Sequence, residues 1–218
     1  GPSSVWDTLL SGVANGTLLV AIATSVRRIL LGYSLAVLCG VGLGLLIGRF
    51  RLLDETVGGV IVGLQALPGI CWLPLAALWF GLTETAILFV VVTGGLFSIA
   101  VATDAGVKNL PPIYLKAART MGASGFKLYW RVILPATLPS IIAGMKLGWS
   151  FAWRALMAGE LLFITFGLGN LLSIGRERND LSAVVAVMLI IIVIGVLVDR
   201  LIFAPLERYI KTHWGAGF

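Results

Sequence analysis

The sequence predicts an all-α membrane protein with five visible transmembrane helices, and two observations lead to this prediction. Of its 218 residues, 59% are hydrophobic and 12% are charged, and the mean hydropathy is +1.02. A typical soluble domain carries about 25% charged residues. A soluble core of this size cannot hide the apolar surplus, so lipid must form part of the solvent. The apolar runs are also too long for the tilted strands of a membrane barrel.

Five segments are long and apolar enough to cross ~30 Å of hydrocarbon as helices, which takes about 20 residues each. They are residues 22–47, 56–80, 85–105, 138–163 and 181–203. A weaker apolar stretch, residues 5–20, predicts an interfacial helix that leads into the first span. Because the printed chain opens on Gly-Pro-Ser-Ser rather than on Met, we expect one further span before residue 1.

Small residues and prolines punctuate the first two spans. The first span contains a row of glycines at spacings that allow close helix approach, which favours tight packing within one subunit over a dimer contact. These glycines are Gly32, Gly40, Gly42, Gly44 and Gly48. In the second span, Pro68 and Pro74 remove backbone donors and should kink or break the helix.

The lysines and arginines orient the chain in the membrane. One side holds 11 of them and the other side holds 4, so the first side is predicted to be cytoplasmic. The four outer ones are Arg27, Arg28, Arg176 and Arg178, and Arg27 and Arg28 are expected to snorkel to the outer interface. The net charge of +6 therefore reflects orientation. No basic stripe interleaved with exposed aromatics suggests a nucleic-acid partner.

The longest weakly hydrophobic stretch is the cytoplasmic loop 104–135. Its proline pair at 111–112 suits the first turn of a helix, and residues 113–121 read as a short amphipathic helix. Gly122 should end that helix. Ser124 should then cap a second short helix that runs to Arg131.

This loop resembles the EAA loop of importer-type ABC permeases, whose consensus is Glu-Ala-Ala, three residues, Gly, nine residues, then Ile-x-Leu-Pro. The matching residues are Ala117, Ala118, Gly122, Val132, Leu134 and Pro135, with Lys116 where Glu is usual and Val132 where Ile is usual. The resemblance implies a type I, binding-protein-dependent importer permease whose 111–135 loop seats on an ATP-binding cassette subunit. The residues implied for this coupling are Tyr114, Lys116, Ala117, Ala118, Met121, Gly122 and Ala123.

Further segments look like the nitrate/sulfonate/taurine/bicarbonate branch of these permeases. They are residues 24–32, 72–75, 79–84, 159–162 and 167–169. The branch implies a homodimer of this single-domain permease (residues 1–218), two ATPase subunits that hold ATP and Mg, and an extracytoplasmic binding protein. It also implies a bacterial cytoplasmic (inner) membrane location and a small, anionic solute.

Two charges fall inside the fourth span and are candidates for the translocation path. Arg154 lies near mid-span, where a charge usually faces a cavity or a partner, and it is a candidate anion guide or a structural contact. Glu160 lies six residues later, about 600° around the helix, so a direct pair between the two is not expected. The full candidate path set is Gln65, Pro68, Trp72, Trp149, Trp153, Arg154 and Glu160.

The remaining function classes are less well supported. The sequence has no GxxxxGK[ST] loop, so the chain is not expected to bind ATP or act as an enzyme. No metal site is expected, because Cys39 and Cys71 lack ligand spacing and His213 is the one histidine. The alternative is a stand-alone secondary transporter or channel, which would call for an internal inverted repeat or coupling carboxylates. No convincing repeat is visible, and Glu160 is the one plausible mid-membrane carboxylate.

Overall fold

The computed structural model describes residues 1–163 and 165–213, and every regular element within them is helical. The α-helices are α1 (Pro2–Ala14), α2 (Thr17–Arg49), α3 (Arg51–Leu53), α4 (Gly59–Gln65), α5 (Leu73–Phe80), α6 (Glu84–Lys108), α7 (Pro112–Thr120), α8 (Gly125–Leu128), α9 (Leu134–Leu162), α10 (Leu168–Glu177), α11 (Leu181–Val198) and α12 (Ala204–His213). A 3₁₀ turn covers Gly69–Trp72, and π-helical turns cover Asp54–Gly58, Tyr129–Ile133 and Asp199–Phe203.

Over the described residues, all five predicted spans are helical, four of them as continuous segments and the second as a broken pair. Four continuous helical segments, Thr17–Arg49, Glu84–Lys108, Gly125–Leu162 and Leu181–Ile210, are long and apolar enough to cross a membrane. A broken pair, Arg51–Gln65 with Gly69–Phe80, makes the fifth span if it is counted as one. Hydropathy and length suffice for this result, because backbone polar groups in lipid must be satisfied within helices.

Of the two prolines in the second span, only Pro68 breaks it. Pro68 has the non-helical ψ of 139°, and its carbonyl accepts the N–H of Cys71 at 2.8 Å to open the 3₁₀ turn. Pro74, by contrast, lies in the first turn of α5. Its missing N–H has no intrahelical partner to lose there, so a helix begins at the second proline instead of breaking.

The second short helix predicted in the loop, from Ser124 to Arg131, is wrong in two respects. Ser124 makes no side-chain capping hydrogen bond. The helix that follows it does not stop at residue 131, because the π-helical turn Tyr129–Ile133 joins α8 to α9. The fourth span therefore begins within the loop.

The chain divides into two compact units. The first contains residues 1–36, 67–95 and 149–198, and the second contains residues 37–66, 96–148 and the described residues from 199 onward. In the first unit, Ile29, Ile87 and Leu156 are fully buried. In the second, Ile47, Ile61 and Ala100 form a core cluster.

The glycines of α2 serve close packing within the chain. In the first unit, a Cβ at Gly32 would lie 2.6 Å from a methyl group of Val91 on α6. In the second unit, Gly40, Gly44 and Gly48 all lie against α6, and a Cβ at Gly44 would lie 2.5 Å from the carbonyl oxygen of Ala100. Gly42 differs, because nothing lies within 4 Å of its position. Packing within the subunit therefore explains four of the five glycines.

We predict that Gly44→Ala destabilises the protein, whereas Gly42→Ala does not. Both changes replace glycine by alanine in one helix and share any change in helix propensity, so their difference isolates the contact with α6. The overpacking should cost about 1–3 kcal/mol. The check is the thermal unfolding midpoint of the purified protein in detergent, and equal midpoints for the two variants would contradict the packing.

Candidate functional site

The predicted loop helix is present as α7, and it is anchored on one side and open on the other. Ala118 is buried with Leu128 and Ile133 in a small cluster of the second unit. On the opposite side of α7, four exposed residues follow the i, i+3, i+4, i+7 spacing of one helix face. We call this the coupling face, and it consists of Ile113, Lys116, Ala117 and Thr120. Tyr114 and Met121 flank it, and Met121 is 86% exposed.

Gly122 ends α7 in a left-handed turn. Its φ is +82°, its N–H donates to the carbonyl of Arg119 at 3.0 Å, and the N–H of Ala123 donates to the carbonyl of Ala118 at 2.9 Å. This bond pair is the Schellman motif, which satisfies the free carbonyls at a helix end. No atom crowds the Cβ position of Gly122, so the backbone conformation alone requires glycine. The predicted helix break at this residue is confirmed.

A tyrosine fixes the loop to α2 within the second unit. The hydroxyl of Tyr129 donates to the carbonyl oxygen of Leu45 at 2.9 Å. The guanidinium of Arg49 lies 5.2 Å from the centre of the Tyr129 ring, within cation–π range. Together with the Ala118 cluster, these contacts hold α7 at a defined position on the long helices.

The loop is cationic throughout. Residues 105–135 contain no Asp or Glu. Lys108 is neutralised by Asp54 and Asp104, with its Nζ 2.5 and 2.6 Å from their carboxylate oxygens. The other four cations are exposed and form no ion pair within the described residues; they are Lys116, Arg119, Lys127 and Arg131.

A second group of polar residues lies buried in the first unit around Glu160. Its side chain is 0% exposed. It accepts hydrogen bonds from the hydroxyl of Ser25 at 2.7 Å, from Nη1 of Arg28 at 2.9 Å and from the backbone N–H of Gly169 at 3.0 Å. A buried carboxylate without such partners would be very costly.

The partner of Glu160 corrects one sequence-based expectation and confirms another. Arg28 is 6% exposed, so the expectation that it snorkels to the outer interface is wrong, because its guanidinium is held by the buried carboxylate. The expectation that Glu160 does not pair with Arg154 is confirmed. The sequence feature that could have predicted the Arg28–Glu160 pair is the presence of opposite charges within two predicted spans. Nothing in the sequence pointed to Ser25.

The hydrogen bonds around Glu160 also satisfy backbone N–H groups at the N-terminus of α10. The N–H groups of Leu168 and Gly169, in the first turn of α10, donate to Ser25 Oγ at 2.9 Å and to Glu160 at 3.0 Å. Glu160 thereby caps a helix from outside it, and its charge complements the positive end of the helix dipole. A Cβ at Gly167 would lie 2.5 Å from the carboxylate, which explains a glycine just before this helix.

Arg28 also extends the network to α6. Its Nε lies 3.2 Å from a carboxylate oxygen of Glu84, and Nη2 of Arg27 lies 2.5 Å from the same oxygen. Nη1 of Arg28 further donates to the carbonyl of Phe166 at 2.9 Å. One buried guanidinium therefore joins α2, α6, α9 and the residues just before α10.

Arg154 has a different environment from Arg28. It is exposed, and it donates to the carbonyl and hydroxyl oxygens of Ser150, one turn earlier on α9, at 3.0 and 3.1 Å. Its guanidinium lies 5.0 Å from the centre of the Phe151 ring. No carboxylate pairs with it among the described residues. Within the described residues, the contacts of this charge are therefore with its own helix.

Two tryptophans of the candidate path do not share the exposure of Arg154. Trp149 and Trp153 are buried, stack on each other with centroids 6.1 Å apart, and Trp149 packs edge-on against Tyr33. Trp72 is half-buried, with its ring 6.2 Å from Phe89. In the same unit, Pro68 is exposed at the break, and in the second unit Gln65 ends α4. A role for these residues in a path stays a prediction.

The chain is similar to known transport proteins over most of its length. The family model for the binding-protein-dependent transport system inner membrane component matches residues 40–208. A putative ABC transporter permease of Methanocaldococcus jannaschii is 34% identical over 189 residues, covering 86% of this chain and 71% of that protein. The taurine transport system permease of Escherichia coli is 32% identical over 217 residues, covering 97% and 79%.

Two further similarities concern a nitrate permease and the fold. The nitrate import permease of Leptolyngbya laminosa is 29% identical over 202 residues, covering 90% of this chain and 72% of that protein. A chain of the MetNI methionine ABC transporter, solved in an inward-facing conformation, superposes with a TM-score of 0.77 at 17% identity, covering 88% and 95%. At that identity the match establishes a shared fold, the type I importer transmembrane fold expected from the sequence.

We predict that Glu160→Gln destabilises the protein by about 3–5 kcal/mol, because it removes the buried counter-ion of Arg28 and leaves only the partly exposed carboxylate of Glu84 beside that charge. Glu84→Gln is the matched control, since Glu84 is partly exposed and should cost only about 0–1 kcal/mol. Unfolding midpoints of the purified variants provide the measurement.

The double variant Arg28→Gln with Glu160→Gln tests the charge argument directly. It leaves no uncompensated charge, so it should recover part of the loss seen in Glu160→Gln. Additive losses in the double variant would show that the two groups act independently.

Proposed function

The chain belongs to the family of binding-protein-dependent transport system inner membrane components, the permease subunits of ABC importers, and we propose that it moves a small anion when a partner ATPase bound at α7 changes shape. As a family member it is a multi-pass protein of the inner membrane. The proposal adds three things to this membership: the site of ATPase coupling, the class of solute and the assembly.

The coupling face is the observation that supports α7 as the docking site of an ATPase subunit. A short helix with anchors at i, i+3, i+4 and i+7 fits the groove of a soluble partner. The small Ala117 allows close approach, while Ile113, Tyr114 and Met121 offer apolar contact. ATP and Mg would bind to the partner, because the printed sequence lacks a phosphate-binding loop.

The anchors of α7 would pass on the motion of such a partner. The buried Ala118 cluster links α7 to the start of the fourth span, and Tyr129 links that span to α2 in the second unit. A displacement of α7 would therefore move the attached segments together, as packed elements shift rigidly rather than bend. Gly122 keeps the direction in which the chain leaves α7 fixed.

Arg154 supports an anionic solute. An exposed guanidinium inside a span, with no carboxylate partner in the described part of the chain, is expected to face a cavity or a ligand. Its planar fork contacts paired oxygens of sulfonate, nitrate or bicarbonate with two donors at once. Relatives are named for taurine, nitrate and bicarbonate transport, and these names are consistent with such a solute.

The family also supports an assembly beyond this chain. We propose two copies of the permease, two ATPase subunits on the cytoplasmic side, and a binding protein that delivers the solute from outside.

We predict that Arg154→Ala lowers ATP-driven uptake at least tenfold without loss of ATPase activity in the assembled complex. Taurine, nitrate and bicarbonate are the solutes to test, in proteoliposomes with the binding protein present. Arg154→Lys is the matched variant, because it keeps the charge but loses the two-donor geometry. Its uptake should lie between that of the wild type and that of Arg154→Ala. Unchanged uptake by Arg154→Ala would remove the anion role, and uptake by the purified permease without any ATPase would remove the proposed function.

We predict that Gly122→Ala weakens the association with the ATPase subunit. A left-handed conformation costs an L residue about 1–2 kcal/mol, or roughly a 5- to 30-fold loss if the turn relaxes. Gly122→Asn should retain more affinity, because asparagine tolerates this region. Gly59→Ala is the control, since Gly59 has φ −62° and no atom within 4 Å of its Cβ position. Equal co-purification of all three variants would contradict docking through α7.

A further inference from the structure

The positive charge of the coupling face allows an inference about the ATPase subunit proposed to dock there. Lys116 lies two residues before the buried Ala118, about 200° around the helix, so it projects from the open side of α7. Arg119 follows one turn later at the edge of that side. Both are exposed.

Nothing in the described part of this chain neutralises these two cations. Asp104, the acidic residue at the start of the loop, pairs with Lys108, which also pairs with Asp54, and residues 105–135 contain no acid at all. Arg119 is favoured by its position near the negative end of the α7 dipole. Lys116, in the middle of the helix, has no such compensation.

A groove that receives α7 removes water from the middle of the coupling face. A cation that is buried without a counter-charge is strongly unfavourable, so the receiving surface has to supply one. The side chains suited to this are carboxylates, which form charge-assisted hydrogen bonds with an ammonium group.

We infer that the ATPase subunit serving this permease presents an acidic groove, with a carboxylate opposite Lys116. This inference rests on the proposed docking of the ATPase at α7. In the resembling loops Glu is usual at this position, and a Glu would require a cation in the groove. The charge is inverted here, so the groove would accept this permease and disfavour permeases with Glu, by like-charge repulsion.

The first experiment measures the affinity of the permease for its co-purifying ATPase subunit in nanodiscs as salt is raised. The wild-type affinity falls with salt, because salt screens the attraction between the loop cations and the acidic groove over roughly 10 Å at 0.1 M while the two surfaces approach. Lys116→Glu lowers the affinity at low salt at least tenfold and reverses the direction of the salt effect. The affinity of Lys116→Gln lies between those of the wild type and Lys116→Glu. Lys127→Glu is the matched control, since Lys127 is an exposed loop cation outside the coupling face, and it changes affinity less than threefold.

The second experiment identifies the carboxylate by zero-length carbodiimide cross-linking of the assembled complex, read by mass spectrometry. Lys116 becomes linked to an Asp or Glu of the ATPase subunit, and Lys116→Arg abolishes that link while keeping the affinity. Replacing the linked carboxylate by Lys then restores binding to Lys116→Glu.

Three results would overturn the inference. One is equal or tighter binding by Lys116→Glu, and another is a Lys116 link to no ATPase carboxylate. The third is a salt effect that follows Lys127 and Arg131 and requires phosphatidylglycerol rather than phosphatidylcholine in the nanodisc, which would assign the loop cations to lipid headgroups. In all three the ATPase subunit still co-purifies, whereas failure of the wild-type permease to bind any ATPase subunit would instead reject the proposed function.

Discussion

The carboxylate of Glu160, fully removed from solvent, is the constraint on which the first unit depends. Such a group is stable only if donors surround it, and here they come from two separate helices, α2 and α10. Satisfying one charge therefore fixes where α10 begins and which face of α2 turns inward. The glycine before α10 follows from the same requirement, because a side chain at Gly167 would overlap the carboxylate.

Much of the architecture could be predicted because lipid leaves few alternatives. The five spans follow from length and hydropathy, and the break at Pro68 follows from its missing N–H. The helix end at Gly122 could also be predicted, because a glycine after an amphipathic segment is the usual residue of a left-handed helix end. Pro74 shows the limit of such rules, since the same residue type begins a helix once the preceding break supplies a new N-terminus.

The contacts between distant residues could not be predicted from local pattern. Arg28 and Glu160 are 132 residues apart. The local sequence around an arginine near the end of a span is the same whether its side chain snorkels to the interface or pairs with a buried carboxylate. Helical phase posed a similar problem at Trp153 and Arg154. A step of about 100° separates these neighbours, and it places the tryptophan in the core and the arginine on the surface. Choosing which face is the core requires the neighbouring helices, which periodicity alone does not supply.

The cations of the described chain differ by whether the chain itself neutralises them. Arg28, Lys108 and Lys146 are paired with carboxylates of their own unit, Lys146 with Asp199 at 3.1 Å. Arg154 and Lys116 have no such partner in the described residues. The first group explains how the helices are held together, because each pair joins different helices or turns of one unit. A charge that folding leaves unneutralised adds no stability of this kind, so its value lies in what it meets outside the chain. That reasoning is why we propose the solute and the ATPase subunit as the counterparts of Arg154 and Lys116.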